Sequence, residues 1–310
     1  MVIEKIVVGA NTEFPLNGLL TLPEGVTPPR PAVVFVHGSG SSDMNSTVYK
    51  VSPFKDMAEG LAKYGIASIR YDKRTWVYPK KFPTNGTVKW ETIDDAVLAT
   101  NILKNDPRID SQRVFIAGLS MGAMLAPRID DQGGDYAGLI LMAGTTRRLE
   151  EVMKDQSQEF LANTSNPLMK WLVKKQIKNL HSKFNNLYDL TDEEAVKIAT
   201  GGGTTAYYFK DMGIKTVREY LAPKTKPILV MQGDADFHVC VKKDFNDYQD
   251  ILKNNPNATF RLYPNINHVF MPTIYGRDVS KVKKEYSAPN QKVADFVIKD
   301  IADWINSYDQ

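Results

Sequence analysis

The chain has 310 residues, of which 43% are hydrophobic and 24% are charged, and its formal net charge is +3. This length suits one α/β core with an insertion, and the small, dispersed positive charge argues against a nucleic-acid partner. No apolar run approaches the ~20 residues that a helix needs to cross a bilayer, so we expect no stable membrane insertion.

The opening stretch, MVIEKIVVGANTEF, carries charges inside a short alternating pattern and contains no apolar segment of the signal-peptide type. We therefore expect a first strand and a cytoplasmic protein. The single cysteine, Cys240, cannot form an internal disulfide, which fits a reducing compartment. We interpret it as a small buried hydrophobic residue.

Short β-type runs recur along the chain, and several are apolar throughout, as strands buried on both faces of a parallel sheet are. In chain order they are IEKIVVG, GLLTLPEG, AVVFVHG, IASIRYD, RVFIAG, AGLILMAG, PILVMQG and ATFRLYP. Between them, PFKDMAEGLAKYG and TIDDAVLATNILKN carry apolar residues at helical spacing. The pattern predicts an α/β fold with a mostly parallel sheet and helices on both faces. The first two runs, joined near Asn17-Gly18, are expected to pair antiparallel.

The alternation stops between about Thr145 and Pro223, where the sequence is helical in character without a convincing strand. We interpret residues 145–223 as a helical cap inserted into a core formed by 1–144 and 224–310. Within the cap, SNPLMKWLVKKQIKNLHSKF predicts a basic amphipathic helix. A cap helix with a solvated outer face explains it most simply, and contact with a membrane surface is the alternative. Gly201-Gly202-Gly203 is interpreted as a loop or hinge.

The run VFIAGLSMGAMLA places Ser120 between Gly118 and Gly122 where a strand stops and a helix starts. A tight turn of this kind needs small neighbours and exposes the serine hydroxyl near the N-terminus of the helix. There the helix dipole and unpaired N–H groups favour developing negative charge. This context indicates a nucleophile.

A serine hydroxyl needs a base and an orienting carboxylate to act as a nucleophile. PILVMQGDADFHV places Asp234 and Asp236 just beyond one strand end, and RLYPNINHVF places His268 beyond another. The chain order serine, acid, histidine is the one expected of this fold. His238 is the less favourable base, because it lies only two residues from Asp236.

The segment His37-Gly38-Ser39-Gly40 follows AVVFV directly. Its glycines allow backbone N–H groups to approach the cleft closely. We expect the N–H groups of Ser39 and Met121 to converge on the substrate carbonyl oxygen as an oxyanion hole. His37 is interpreted as structural rather than as a base.

With these motifs the chain resembles the α/β-hydrolase superfamily, in the serine esterase branch related to dienelactone hydrolases and serine aminopeptidases. The resemblance runs nearly end to end, through FPLNGLLTLPEG, VFVHGSGSSD, RYDKR, GLSMG, MQGDADFHVCVKKDF, YPNINHVF and ADFVIKDIADWI. It implies an eight-stranded sheet, a cap inserted after the sixth strand, and Asp236, the second Asp of Gly-Asp-x-Asp, as the triad acid. The nucleophile is a cysteine in dienelactone hydrolases proper and an aspartate in dehalogenases and epoxide hydrolases. Ser120 at this position argues against membership in either group.

Several residues are candidates for the substrate pocket. Asp72 and Arg74 of RYDKR either pair with each other or line the cleft. Aromatic rims suit apolar acyl or aryl groups. Such aromatic candidates are Trp76, Tyr78 and Phe82 after RYDKR, and Trp171, Tyr207, Tyr208 and Phe209, with Leu172, in the cap. From these candidates and His37, we expect four residues to bind substrate: His37, Trp76, Trp171 and Tyr207.

The sequence thus predicts a carboxylic-ester hydrolase that acts on small to medium acyl or aryl esters through an acyl-enzyme, without a metal or organic cofactor. One alternative is an aminopeptidase-like enzyme, which needs a carboxylate for a free α-amino group; Glu150, Glu151 and Glu159 are candidates. A non-catalytic binding protein is the other alternative, although it would be expected to have lost a triad member. A homodimer is left open.

Overall fold

The computed structural model describes residues 1–163 and 167–308. Its central sheet contains eight strands, and two further short strands lie outside it. The strands are β1 (Val2–Val8), β2 (Leu16–Leu22), β3 (Arg30–Val36), β4 (Ala67–Tyr71), β5 (Ile109–Leu119), β6 (Leu139–Met142), β7 (Ala199–Gly201), β8 (Thr204–Thr205), β9 (Ile228–Gly233) and β10 (Ala258–Tyr263).

The order in the central sheet is β1-β2-β4-β3-β5-β6-β9-β10. Strand β2 runs antiparallel to both β1 and β4, and all other neighbours are parallel. This confirms the predicted mostly parallel eight-stranded sheet. The prediction of a turn at Asn17-Gly18, however, is wrong, because both residues lie inside β2. The chain turns earlier, where Gly9 has φ +68° and its carbonyl oxygen accepts the Thr12 N–H at 2.9 Å.

The helices cover both faces of the sheet. They are α1 (Pro53–Ala62), α2 (Arg74–Val77), α3 (Asp94–Lys104), α4 (Met121–Ile129), α5 (Leu149–Asn163), α6 (Pro167–Ser182), α7 (Asp192–Lys197), α8 (Ala206–Gly213), α9 (Val217–Leu221), α10 (Asn246–Ile251), α11 (Val282–Tyr286) and α12 (Asp295–Asn306). The two helices predicted from periodicity are α1 and α3, the latter preceded by one π-helical turn at Lys89–Ile93.

Strand β3 shows why the central strands are apolar throughout. Its Val33 and Phe35 pack in the cluster that includes α1 and α12, whereas Val34 and Val36 pack in the cluster that includes α3 and α4. Successive side chains of a strand point to opposite faces of the sheet. A strand covered by helices on both faces therefore needs apolar residues at every position.

The segment between β6 and β9 contains α5 to α9, as predicted, but it also contains the β7–β8 hairpin. The expectation of no strand there is wrong, because strands this short carry no readable alternation. Gly202 and Gly203, with φ of +61° and +84°, form the hairpin turn. Tyr208 and Phe209 of α8 share one apolar cluster with the core. The boundaries 145–223 stay a prediction.

Helix α6 is present where the basic amphipathic pattern predicts it, but three residues of its apolar face are exposed. The side chains of Leu168, Trp171 and Leu172 are 67%, 57% and 43% exposed. Among the described residues, no helix combines the length and apolar character needed to cross a membrane. Cys240 is half-buried rather than fully buried.

Candidate active site

Ser120 lies at the tip of the turn between β5 and α4, with φ 58° and ψ −117°. This backbone conformation is rare for a residue with a side chain. A Cβ at Gly118 would lie 2.2 Å from the Gly122 carbonyl oxygen, and one at Gly122 would lie 2.2 Å from that of Val36. The N–H of Ser120 donates to the Met142 carbonyl at 2.8 Å. The turn therefore requires both glycines and holds the serine in a strained position.

Asp236 and His268 come from the loops that follow the adjacent strands β9 and β10. The Nδ1 atom of His268 lies 2.7 Å from Oδ2 of Asp236, and the Asp236 side chain is fully buried. Its other oxygen, Oδ1, accepts the N–H groups of His238 at 2.7 Å and Val239 at 3.2 Å. Asp234 is exposed and accepts the Asn265 N–H instead. The histidine therefore contacts the second aspartate of the motif, not the first.

His238 packs against His268 without pairing its ring with Asp236. The two imidazole centroids are 4.4 Å apart. Burial, reinforced by the neighbouring His268, lowers the pKa of His238 to about 3. The Gln156 side-chain amide of α5 donates to the His238 carbonyl at 3.0 Å. His238 is thus a neutral packing partner of His268, and its loop is tied to the inserted segment.

The His268 loop is held by a buried asparagine that the sequence analysis missed. Oδ1 of Asn267 accepts the N–H groups of Val269 at 3.2 Å and Met271 at 3.1 Å, and its Nδ2 donates to Glu285 at 2.7 Å. Glu285 is itself buried. In the sequence Glu285 lies among lysines, which is typical of a solvated helix face. The position of Asn267 next to His268 was therefore the only sequence signal for this contact.

The glycine loop, residues 38–40, lies directly against the serine. A Cβ at Gly38 would lie 3.2 Å from the Ser120 Cβ. In the described part of the chain, the Ser39 N–H donates to no protein acceptor. The Met121 N–H occupies the first position of α4, where a helix provides no internal partner. Both N–H groups are therefore available near Ser120.

A cavity of about 470 Å³ opens over Ser120, Ser39 and Met121. Its wall is mainly apolar and combines core residues with residues of the inserted segment. The apolar and aromatic side chains larger than alanine are Pro79, Phe82, Met121, Met124, Leu149, Val152, Met153, Tyr208, Phe209 and Val239. This volume and lining are typical of a site for a small, largely apolar molecule.

Within the described residues, none of the four predicted substrate-binding residues lines this cavity. His37 is buried with Nε2 at 2.9 Å from the Asp43 carbonyl, and burial and the nearby Lys73 lower the pKa of His37 to about 3. Trp76 and Trp171 are 54% and 57% exposed. The structure therefore does not bring these three to the cavity.

Tyr207 lines a separate surface groove, while the next two residues, Tyr208 and Phe209, line the cavity. Successive residues of a helix differ by about 100° in direction, so neighbours in sequence face different surroundings. Phe82, the last aromatic of TWVYPKKF, also lines the cavity. Of the aromatic candidates named from the sequence, Phe82, Tyr208 and Phe209 line the cavity, whereas Trp76, Trp171 and Tyr207 do not.

Asp72 and Arg74 neither pair with each other nor line the cavity. Asp72 accepts the Met44 N–H at 2.8 Å. Arg74 forms a buried ion pair with Asp95, and its guanidinium lies 4.9 Å from the centre of the Trp90 ring. Burial raises the pKa of Asp95 to about 6.

Lys73, between these two residues, contacts the glycine loop. Its ammonium donates to the carbonyls of Gly38 at 2.8 Å and Gly40 at 2.9 Å and lies 2.6 Å from Glu91. Glu91 lines the cavity and accepts a hydrogen bond from the Tyr208 hydroxyl. Burial and Glu91 raise the pKa of Tyr208, so that hydroxyl stays a donor. The sequence analysis missed this ion pair, because its members are distant along the chain.

The fold and a serine at this turn define the class of the protein, the α/β hydrolases of the serine type. A family model described as "Serine aminopeptidase, S33" matches residues 27–272. The chain therefore belongs to the serine aminopeptidase S33 family of α/β hydrolases, which confirms the resemblance seen in the sequence.

A curated relative, Esterase EstD from Thermotoga maritima, is 35% identical over 257 residues, or 83% of this chain. The chain spans 58% of the length of EstD. Est1E from Butyrivibrio proteoclasticus has a TM-score of 0.57 at 16% identity, covering 96% of this chain and 99% of Est1E. The Pyrococcus furiosus esterase Pf2001 has a TM-score of 0.59 at 16% identity, covering 99% and 91%. At these identities the two structures show the shared fold alone.

Proposed function

We propose that the protein is a carboxylic-ester hydrolase with Ser120 as nucleophile, His268 as general base and acid, and Asp236 as the residue that orients His268. The observation that carries this proposal is the 2.7 Å contact between His268 Nδ1 and the buried Asp236. That contact leaves Nε2 of His268 as the nitrogen available to the serine. EstD, the relative that is 35% identical, is named an esterase, which supports the same reaction class.

In the proposed reaction, Ser120 Oγ attacks the ester carbonyl carbon while its proton passes to His268 Nε2. The N–H groups of Ser39 and Met121 stabilise the resulting oxyanion, each by about 3 kcal/mol. Collapse of the intermediate expels the alcohol, which takes the proton from His268 and leaves an acyl group on Ser120. Water then attacks the acyl-enzyme with His268 as base, releasing the carboxylic acid and restoring the serine.

The cavity supports small to medium acyl or aryl esters as substrates. Its volume of about 470 Å³ and its aromatic and aliphatic lining match uncharged, largely apolar groups. On its described wall the single carboxylate is Glu91, which is engaged by Lys73 and Tyr208. A substrate with a free ammonium group therefore finds no unpaired carboxylate there.

The aminopeptidase alternative predicted such a carboxylate among the cap acids. Glu150 accepts a hydrogen bond from the Tyr188 hydroxyl, and the N–H of Arg148 donates to Glu151. Neither residue, nor Glu159, lines the described part of the cavity. These placements favour ester over aminoacyl amide substrates.

The test compares hydrolysis of p-nitrophenyl acetate, butyrate and octanoate with that of aminoacyl p-nitroanilides. We expect ester turnover that falls by at least about 10⁴-fold in Ser120→Ala. Ser157→Ala is the matched control, because this hydroxyl donates to the Met153 carbonyl and lies outside the cavity lining. Turnover of the anilides alone would assign a peptidase, and no turnover of either class would favour a binding protein. Ester turnover that persists in Ser120→Ala would remove Ser120 from the proposal.

A further inference from the structure

Lys73 is buried, with 2% of its surface exposed, and its ammonium group has three protein partners. Two of them are the carbonyl oxygens of Gly38 and Gly40, and the third is Glu91. An ammonium group has three protons to donate. The lysine therefore uses its full hydrogen-bonding capacity on the glycine loop and on one carboxylate.

The bond to Gly38 acts on the peptide unit that carries the Ser39 N–H. The Gly38 carbonyl and the Ser39 N–H belong to the same planar peptide, in which the two groups of a trans bond point in opposite directions. A lysine that holds the carbonyl on one side therefore directs the N–H to the other side. Donation to the carbonyl also polarises the peptide and strengthens its N–H as a donor.

Glu91 holds Lys73 in place and connects it to the inserted segment. Its Oε1 lies 2.6 Å from the lysine Nζ, and Oε2 accepts a hydrogen bond from Tyr208 of α8. The Tyr208 hydroxyl also lies 3.5 Å from the sulfur of Met121, the residue after the serine. Tyr208, Glu91 and Lys73 thus form a continuous connection from α8 to the glycine loop.

Stability alone is a weak reason for a buried ion pair at this position. Removing two charges from water opposes their mutual attraction, and apolar replacements of similar volume are often neutral or stabilising. Glu91 also lines the cavity, and Lys73 contacts the glycine loop that lies against Ser120. Its geometry fits a role in orienting the loop.

We propose that Lys73 and Glu91 are positioning residues that hold the Gly38–Ser39 peptide with its N–H toward the oxyanion site, and that Tyr208 ties this pair to α8. The proposal rests on the ester-hydrolase function proposed above. It concerns how the oxyanion hole is built, not the identity of the nucleophile.

The test uses the double variant Lys73→Met/Glu91→Leu, which removes both charges together and leaves neither one unpaired. An alkyl trifluoromethyl ketone probes the oxyanion hole, because Ser120 Oγ adds to its carbonyl carbon and the carbonyl oxygen becomes an oxyanion. The matching secondary alcohol cannot form this adduct and reports binding to the cavity alone. We expect kcat and affinity for the ketone to fall roughly 10- to 100-fold, with KM and affinity for the alcohol unchanged within about two-fold.

Asp95→Asn is the matched control, because it disrupts the neighbouring buried ion pair with Arg74, which does not contact the glycine loop. We expect this variant to unfold at a lower temperature while its ratio of ketone to alcohol affinity stays that of the wild type. Tyr208→Phe should lower ketone affinity by a smaller factor, about three-fold, because Lys73 and Glu91 remain paired. If the double variant does not fold, Glu91→Gln carries the same comparison.

The outcomes separate the two proposals. An active wild type whose double variant keeps full kcat and ketone affinity overturns the positioning role alone. An equal loss of kcat and ketone affinity in Asp95→Asn also overturns the positioning role, because it would reflect general loosening of the fold. A wild type that hydrolyses no ester overturns the proposed function and the positioning role with it.

Discussion

Asp236 contacts His268 through Oδ2 and its own loop through Oδ1, which accepts the His238 N–H. One buried carboxylate therefore orients the imidazole and is itself oriented by the backbone that follows it. Because its two oxygens have different partners, the direction of the carboxylate is fixed before any substrate binds. It also predicts which of the two neighbouring aspartates matters.

Asp236→Asn should lower kcat for p-nitrophenyl butyrate by about 10⁴-fold, because an amide favours the wrong imidazole tautomer and stabilises no imidazolium. Asp234→Asn is the matched control, since Asp234 is exposed and accepts the Asn265 N–H. It should keep kcat within about two-fold. A larger loss in Asp234→Asn than in Asp236→Asn would reassign the acid.

Two buried histidines, His37 and His238, should each make the folded protein less stable as the pH drops below about 6.5. In the folded state, burial lowers the pKa of His37 and of His238 to about 3. The unfolded chain protonates both near pH 6.5, so it binds more protons than the folded chain between about pH 6.5 and 3. Each histidine then removes about 2 kcal/mol of unfolding free energy at pH 5 relative to pH 7 or above.

Urea unfolding of the wild type and of His238→Gln at pH 5 and pH 7 checks this expectation. The variant should lose less stability between the two pH values, because one titrating imidazole is gone. Above about pH 8 both histidines are almost entirely neutral in either state, so that range provides the baseline. An identical pH dependence in both proteins would mean that His238 is protonated in the folded state.

Backbone strain at Ser120 predicts a trade-off between stability and activity. Glycine accepts φ near 58° more readily than a residue with a Cβ, whereas alanine retains the strain. Ser120→Gly should therefore be more stable than Ser120→Ala by about 1 kcal/mol, although both lose activity. Thermal unfolding of the two variants measures the difference, and an alanine variant as stable as the glycine variant would show that the turn is unstrained.

The cavity wall should set the preferred acyl chain length. Val152→Phe places a larger side chain in the cavity, so kcat/KM for p-nitrophenyl octanoate should fall relative to that for the acetate. Trp76→Ala and Tyr207→Ala are the controls, because neither residue lines the described cavity. They should leave the ratio unchanged. A shift in either control would restore that residue to the substrate site.

The sequence by itself determined the fold class and the positions of the reactive loops. Apolar runs buried on both faces and helices with one apolar face are local patterns, and they predict the parallel sheet directly. Gly118 and Gly122 are equally local signals, because the tight turn at Ser120 leaves no space for a Cβ at either position. Strand ends then predict where Asp236 and His268 lie, since parallel strands present their carboxyl ends at one edge.

Tertiary structure alone decided which side chains face the cavity and which charges pair. Tyr208 and Phe209, rather than Tyr207, line the cavity, because the direction of a helix face depends on how α8 packs against the core. The ion pair between Lys73 and Glu91 joins residues far apart in sequence. No local pattern encodes such a pair, because its geometry arises only when the loop after β4 and the π-helical turn before α3 fold against each other.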